Sequence, residues 1–159
     1  MADKEYVWYV CYGSNLCYER FMRYINKCTD KTPPRDERTL TIPYEMYFAQ
    51  ESSQWNDGGV CFIKLNKDPS VKTYAKAYLI TREQYNQIHK AEGLTMEWYG
   101  NDDIELPDID GIPCKTFTSG FEQEYNKPDP EYIGYVMAGL MDWGLSKEAA
   151  KEYLKKKIR

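Results

Sequence analysis

The chain has little with which to hold a metal ion. It carries one histidine, His89, and five cysteines, Cys11, Cys17, Cys28, Cys61 and Cys114, none of them in a CxxC pair. The usual nitrogen and sulfur ligand spacings of a zinc site are missing, so no metal is expected. An odd, unpaired set of thiols reads instead as the reduced cysteines of a cytoplasmic protein. Long apolar runs are also missing: none approaches the roughly 18–20 residues that span a bilayer. The opening Met1-Ala2-Asp3-Lys4-Glu5 lacks the charged-then-apolar pattern of a secretory leader, so no membrane partner is expected. A basic face is lacking as well. The 21 Lys and Arg are scattered among 25 Asp and Glu, the net charge is −4, and the one basic cluster is the terminal Lys155-Lys156-Lys157-Ile158-Arg159. Extended phosphate-backbone binding needs such a face, which argues against a nucleic-acid partner. Repeats and low-complexity linkers do not occur.

What is present suits one domain over residues 1–159. At 42% hydrophobic content the chain can bury a real core, and its 15 tyrosines supply large amphipathic surfaces that line a polar pocket as readily as a core. Residues 6–12 are apolar and aromatic, and Gly13-Ser14-Asn15 breaks them, which predicts a strand ending in a tight loop. Leu16, Phe21, Met22 and Ile25 then recur at helical spacing up to about Lys27. Leu40, Ile42, Tyr44, Met46 and Phe48 alternate with other residues as a half-buried strand would, with Pro43 marking an edge or bulge. Asn56-Asp57-Gly58-Gly59 predicts a turn before a strand over 60–65, and a further strand is predicted over 73–80.

The second half turns helical. Thr81 and Gln84 have capping-box spacing, and a short helix over 81–91 should stop at Gly93 and deliver Glu92 to its C-terminus. Strands are predicted over 96–99 and 112–118, separated by an acidic stretch with Asp102, Asp103, Glu105, Asp108 and Asp110. Asp129-Pro130 starts a helix with Ile133, Val136, Met137, Leu140 and Met141 as its apolar stripe, ending at Gly144. Ser146 caps a last helix in which Ala149, Ala150, Tyr153 and Leu154 face inward. The pattern fits a mixed, largely antiparallel sheet curled against flanking helices.

Chemistry has four candidate seats. Backbone N–H groups in a Gly13-Ser14-Asn15 loop at a helix start attract anions, and Ser14 and Asn15 add side-chain donors. Turn residues there are equally what any strand-to-helix connection requires. Glu92 would sit against the negative end of a helix dipole, and burial would raise its pKa further toward a useful acid/base range. Many helices also end in a solvated Glu before Gly. His89 with a cysteine would make a minimal thiol-dependent amide hydrolase, although no cysteine signature accompanies it. The acidic stretch lacks the regular oxygen spacing of a calcium loop and reads as solvated.

Together these residues resemble the γ-glutamylcyclotransferase family. Tyr12-Gly13-Ser14-Asn15-Leu16 matches that family's YGSNL loop, and Glu92-Gly93 after a short mid-chain helix matches its catalytic Glu-Gly. Trp55 followed by Gly58-Gly59 resembles its Trp-x-Gly-Gly turn with one residue more. Pro128-Asp129-Pro130-Glu131-Tyr132 through Gly144-Leu145 resembles its C-terminal helix. The resemblance implies an α+β fold, a mixed, mostly antiparallel small β-barrel with peripheral helices. It also implies an enzyme that cyclises a γ-glutamyl amide to 5-oxoproline and releases an amino acid or amine, with no cofactor. Glu92 would be the general acid/base, and Tyr12, Gly13, Ser14, Asn15 and Leu16 would bind the small-molecule substrate in a monomer or homodimer. A non-catalytic protein that binds a small carboxylate metabolite on the same fold is the alternative from another class. The family's aromatic residue ahead of the C-terminal helix has no secure counterpart around Phe121 to Tyr125, and residues 35–54 carry no readable motif.

Overall fold

A computed structural model describes residues 5–159. In chain order its elements are β1 (Tyr6–Cys11), α1 (Tyr18–Ile25), β2 (Glu37–Ile42), β3 (Met46–Ser52), β4 (Gly58–Ile63), β5 (Thr73–Thr81), α2 (Arg82–Glu92), β6 (Cys114–Lys115), α3 (Pro130–Trp143) and α4 (Lys147–Lys155), with 3-10 turns at Ser14–Leu16 and Ser53–Trp55. Residues 1–4 of the opening stretch read above as lacking a leader pattern lie outside the described residues.

The apolar run 6–12 becomes β1, buried at every residue after Tyr6, because the strand is covered on both faces. It lies inside a four-stranded sheet of order β2-β5-β1-β6. β1 runs antiparallel to β5, with Tyr9 opposite Tyr78, and parallel to β6. β3 and β4 form an antiparallel pair of their own, joined through the left-handed Asn56 and Asp57 of the turn. Thr118 links the two sheets: its hydroxyl accepts from the Ile63 N–H (3.0 Å) and lies 3.2 Å from the Ile63 carbonyl. The class is therefore α+β and mostly antiparallel with helices at the periphery, and its ladders resolve into two sheets.

Three elements differ from the sequence pattern. The alternation over 40–48 is not one strand. Pro43 offers no N–H to a ladder, so β2 ends at Ile42 and β3 begins at Met46 in the other sheet. Tyr44 is buried between them, its hydroxyl donating to the Glu105 carbonyl (2.8 Å). Residues 96–99 form a turn rather than a strand, with the Trp98 and Gly100 N–H groups both bonded to the Thr95 carbonyl. The strand expected over 112–118 reduces to β6 and a single bridge between Asn101 and Thr118.

The helices follow their caps. Thr81 and Gln84 form both halves of a capping box, and α2 runs to Glu92 before Gly93 at φ 123°. Asp129 caps α3 through the Glu131 N–H, and α3 stops at Gly144. Its stripe is rotated from the prediction: Tyr132, Val136, Gly139 and Leu140 are buried, while Met141 is 47% exposed. Ser146 caps α4, which buries Ala150 and Leu154 but exposes Ala149. Among the described residues no helix is long and apolar enough to cross a membrane.

Candidate active site

Leaving β1, the chain turns sharply at Gly13 and winds one 3-10 turn before α1. The turn is closed by Leu16 N–H to the Gly13 carbonyl (3.0 Å) and Cys17 N–H to the Ser14 carbonyl (3.1 Å). Among the described residues the N–H groups of Gly13, Ser14 and Asn15 have no backbone acceptor. They are orphan donors of a tight turn rather than the end of the α-helix that the sequence suggested. Leu16 differs from its neighbours, since its N–H is taken and its side chain is buried in the core.

The loop is held from behind. The Tyr78 hydroxyl donates to the Asn15 carbonyl (3.0 Å), and the ammonium of Lys76, 1% exposed, lies 3.3 Å from the Leu16 carbonyl and 3.1 Å from Glu37. Gly13 is needed for close approach: a Cβ there would stand 2.9 Å from Cys61 Cβ. Gly139 does the same on α3, where a Cβ would meet Leu16 Cβ at 2.3 Å and the Cys17 nitrogen at 2.6 Å.

Facing the loop across a cavity of about 140 Å³ is Glu92, at the end of α2. The Asn15 amide donates to Glu92 Oε1 (3.3 Å) and lies 3.2 Å from the Tyr9 hydroxyl, and Asn15 Oδ1 is buried without a partner. Burial raises the Glu92 carboxyl above its ordinary 4.5, while hydrogen bonding from Tyr24 and Asn15 and the charge of Arg20 pull it back. The Tyr24 hydroxyl is pushed up by burial and by Glu92 itself, so it stays protonated as a donor. Tyr12, Gly13, Ser14, Asn15 and Glu92 thus border one space.

Several lining residues carried no motif. Arg20 and Tyr24 come from α1, one turn apart, and that spacing was the signal available in the sequence. Tyr99 and Phe117 come from irregular chain, tied by Tyr99 hydroxyl to Cys61 carbonyl (2.8 Å) and Tyr12 hydroxyl to Phe117 carbonyl (2.7 Å). Tyr132, at the start of α3, accepts from the Cys61 N–H (2.8 Å). Phe121 is 49% exposed, and the Tyr125 hydroxyl accepts from the Arg159 N–H, so neither faces the cavity. From the unmotifed stretch 35–54, Ser52 and Gln54 reach the lining.

The other candidates are otherwise engaged. His89 stacks on Phe117 (4.5 Å between centroids) and sets Nε2 against the Tyr99 carbonyl. Burial pushes the Cys61 thiol up to about 12, which disfavours a thiolate. In the acidic stretch Asp102 pairs with Lys115, Glu105 with Lys67 and Asp110 with Arg38.

The fold is shared with solved structures. A structure of gamma-glutamyl cyclotransferase superposes with a TM-score of 0.73 at 20% identity, covering 98% of this chain and 89% of that one. An uncharacterised protein from Homo sapiens matches with a TM-score of 0.73 at 21% identity over the same shares. YkqA from Bacillus subtilis matches with a TM-score of 0.67 at 19% identity, covering 97% of this chain and 55% of that chain. In sequence the chain is 29% identical over 204 aligned residues to histone deacetylase 5 of Arabidopsis thaliana, covering 96% of this chain but 31% of that protein. The chain thus spans about a third of that relative's length, and the name describes the longer protein. No protein-family model matches the chain. The fold is that of gamma-glutamyl cyclotransferase.

Proposed function

We propose that the chain, as one γ-glutamylcyclotransferase-like domain over residues 1–159, cyclises a γ-glutamyl amide to 5-oxoproline and releases an amine. The observation that supports this most directly is the pairing of Asn15 with Glu92 at 3.3 Å in a single cavity with the loop. Two features that are each common alone meet in one space. The five free, buried thiols suit a reducing cytoplasm.

In this reading the free N–H groups of Gly13, Ser14 and Asn15 take the carboxylate and carbonyl oxygens of the glutamyl group, and Leu16 anchors the loop from the core. Tyr12 braces the cavity wall through its bond to Phe117. The substrate's α-amino nitrogen attacks its own γ-carbonyl carbon, forming the ring C–N bond, and the amide C–N bond to the departing amine breaks. Glu92 takes the proton released by the attacking nitrogen and returns it to the leaving nitrogen. Forming a five-membered ring asks mainly for orientation, which a rigid loop supplies. No redox step occurs and no cofactor is needed.

The test is release of 5-oxoproline from γ-glutamyl amides by the purified protein. Glu92→Gln keeps the planar shape of the carboxylate and should cut the rate on the order of 10²–10⁴-fold with binding retained. Unchanged turnover in that variant would sink the assignment. Binding without turnover in the unaltered protein would instead make it a carboxylate-binding protein on this fold.

A further inference from the structure

The tight turn after β1 has two faces. On one, Ser14 and Asn15 border the cavity, and among the described residues their N–H groups have no backbone acceptor. On the other, the carbonyls of Asn15 and Leu16 meet β5. Lys76 and Tyr78, two residues apart and so on one face of that strand, supply the donors. The Tyr78 hydroxyl donates to the Asn15 carbonyl (3.0 Å), and Lys76 Nζ donates to the Leu16 carbonyl (3.3 Å).

Each of these bonds continues through the turn. A peptide unit joins the carbonyl of one residue to the N–H of the next, so a donor placed on the carbonyl makes that N–H a stronger donor in its turn. Lys76 acts on the Leu16 carbonyl, whose peptide partner, the Cys17 N–H, donates to the Ser14 carbonyl (3.1 Å). The peptide partner of the Ser14 carbonyl is the Asn15 N–H. Tyr78 acts on the Asn15 carbonyl, whose partner, the Leu16 N–H, donates to the Gly13 carbonyl (3.0 Å). The peptide partner of the Gly13 carbonyl is the Ser14 N–H. Two separate chains of hydrogen bonds thus start on β5 and end on the two N–H groups beside the cavity.

Lys76 is the one charged residue of β5, and it is 1% exposed. A buried ammonium is costly, and a methionine would fill similar space without that cost. Its ion pair runs to Glu37 on β2 (3.1 Å), whose side chain is 42% exposed and keeps much of its hydration, so the pair turns its positive end toward the turn. Resting on the cyclisation reading above, we propose that Lys76 and Tyr78 are positioning residues: Lys76 polarises the Asn15 N–H and Tyr78 the Ser14 N–H toward the oxygens of the glutamyl substrate. Neither side chain touches the substrate. The relay brings positive charge to bear on a carboxylate or a developing oxyanion without setting the Lys76 ammonium in the cavity, where it would pair with Glu92 instead.

Amide-proton NMR of the ligand-free protein tests the relay apart from any reaction. Lys76→Met should move the Asn15 amide proton upfield more than that of Ser14, and Tyr78→Phe should do the reverse. Glu37→Gln keeps an acceptor for Lys76 but removes the opposing charge, so it should move the Asn15 proton downfield. Calorimetric affinity for 5-oxoproline and kcat/KM for γ-glutamylglycine should both fall about threefold to tenfold in Lys76→Met and about twofold in Tyr78→Phe, and should rise in Glu37→Gln. A merely structural support would weaken all three variants, and that outcome overturns the proposal. Should Lys76→Met fail to fold, Glu37→Gln reads the same chain of bonds with the opposite sign. Amide protons that stay in place, or that move alike in the Lys76 and Tyr78 variants, overturn the relay. Shifted protons with unchanged affinity and unchanged kcat/KM overturn its role in binding. If the unaltered protein neither releases 5-oxoproline nor binds it, the cyclisation reading falls, and the amide shifts alone decide the relay.

Discussion

One wall of the cavity is made of β1, the tight turn after it, α1 and the end of α2. The opposite wall draws on residues 94–119, where β6 is the only strand and consists of two residues. The two walls are held differently. The first hangs on ladders and caps, with β1 paired along its length to β5 and α2 started by a capping box. The second is fixed by side chains reaching far along the chain to single carbonyls, such as Tyr12 to Phe117 and Tyr99 to Cys61. A regular wall spreads its order over many equivalent bonds. An irregular one concentrates it in a few rings and hydroxyls, so single substitutions should be felt more strongly there.

Phe117→Ala gives the sharpest test. Phe117 is buried, stacked on Tyr9 (5.3 Å) as well as His89, and its removal should cost about 3–5 kcal/mol in denaturant unfolding. A loss below about 1 kcal/mol would mean that the irregular wall is loosely packed and the contrast false. Gly139→Ala attacks the regular wall from behind. The new methyl meets Leu16 and the Cys17 nitrogen of the tight turn, so roughly 1–3 kcal/mol of stability should be lost. KM should rise more than kcat falls, because the turn shifts while Glu92 does not. Tyr99→Phe leaves the Cys61 carbonyl without its side-chain donor and should cost about 1 kcal/mol, measured by thermal melting.

The smallest effect is on pH. Because burial raises Glu92 above 4.5, the acid limb of kcat/KM should fall above that value if Glu92 is the base of the proposed cyclisation, since a base is active only when ionised. Tyr24→Phe removes a donor to the carboxylate and should move the limb further up. The same raised pKa means that the contribution of Glu92 to stability is present below its unfolded value and lost as pH rises through its folded one. Glu92→Gln should therefore melt higher than the unaltered protein on the alkaline side, and an unchanged difference across pH would contradict the burial.

Which parts were legible follows the same divide. The Thr81/Gln84 box, the Asp129-Pro130 start and the Ser146 cap are local signals, and each begins its helix where the sequence places it. The alternation over 40–48 misled because period-two spacing persists across Pro43, and only the missing N–H tells that the ladder cannot. Residues 96–99 and most of 112–118 misled because aromatic residues such as Trp98, Tyr99 and Phe117 there line the cavity, and only Cys114–Lys115 joins a sheet. Met141 and Ala149 show a finer limit, since a helix rotation decides which of two neighbouring apolar residues meets the core.

Within the site, Tyr12 to Asn15 and Glu92 were visible as motifs, whereas Arg20, Tyr24, Tyr99 and Phe117 were not. The motif residues depend on backbone shape, which a short stretch encodes: a strand, a glycine that a neighbouring strand can approach, a capped helix ended by another glycine. The sequence by itself therefore determined where a tight turn and a helix-end carboxylate would form. Their meeting depended on contacts across about a hundred residues of chain, from Tyr12 to Phe117 and from Leu16 to Gly139. Only the tertiary structure decided that meeting, and with it the burial that raises Glu92, because desolvation exists only once distant segments share one space.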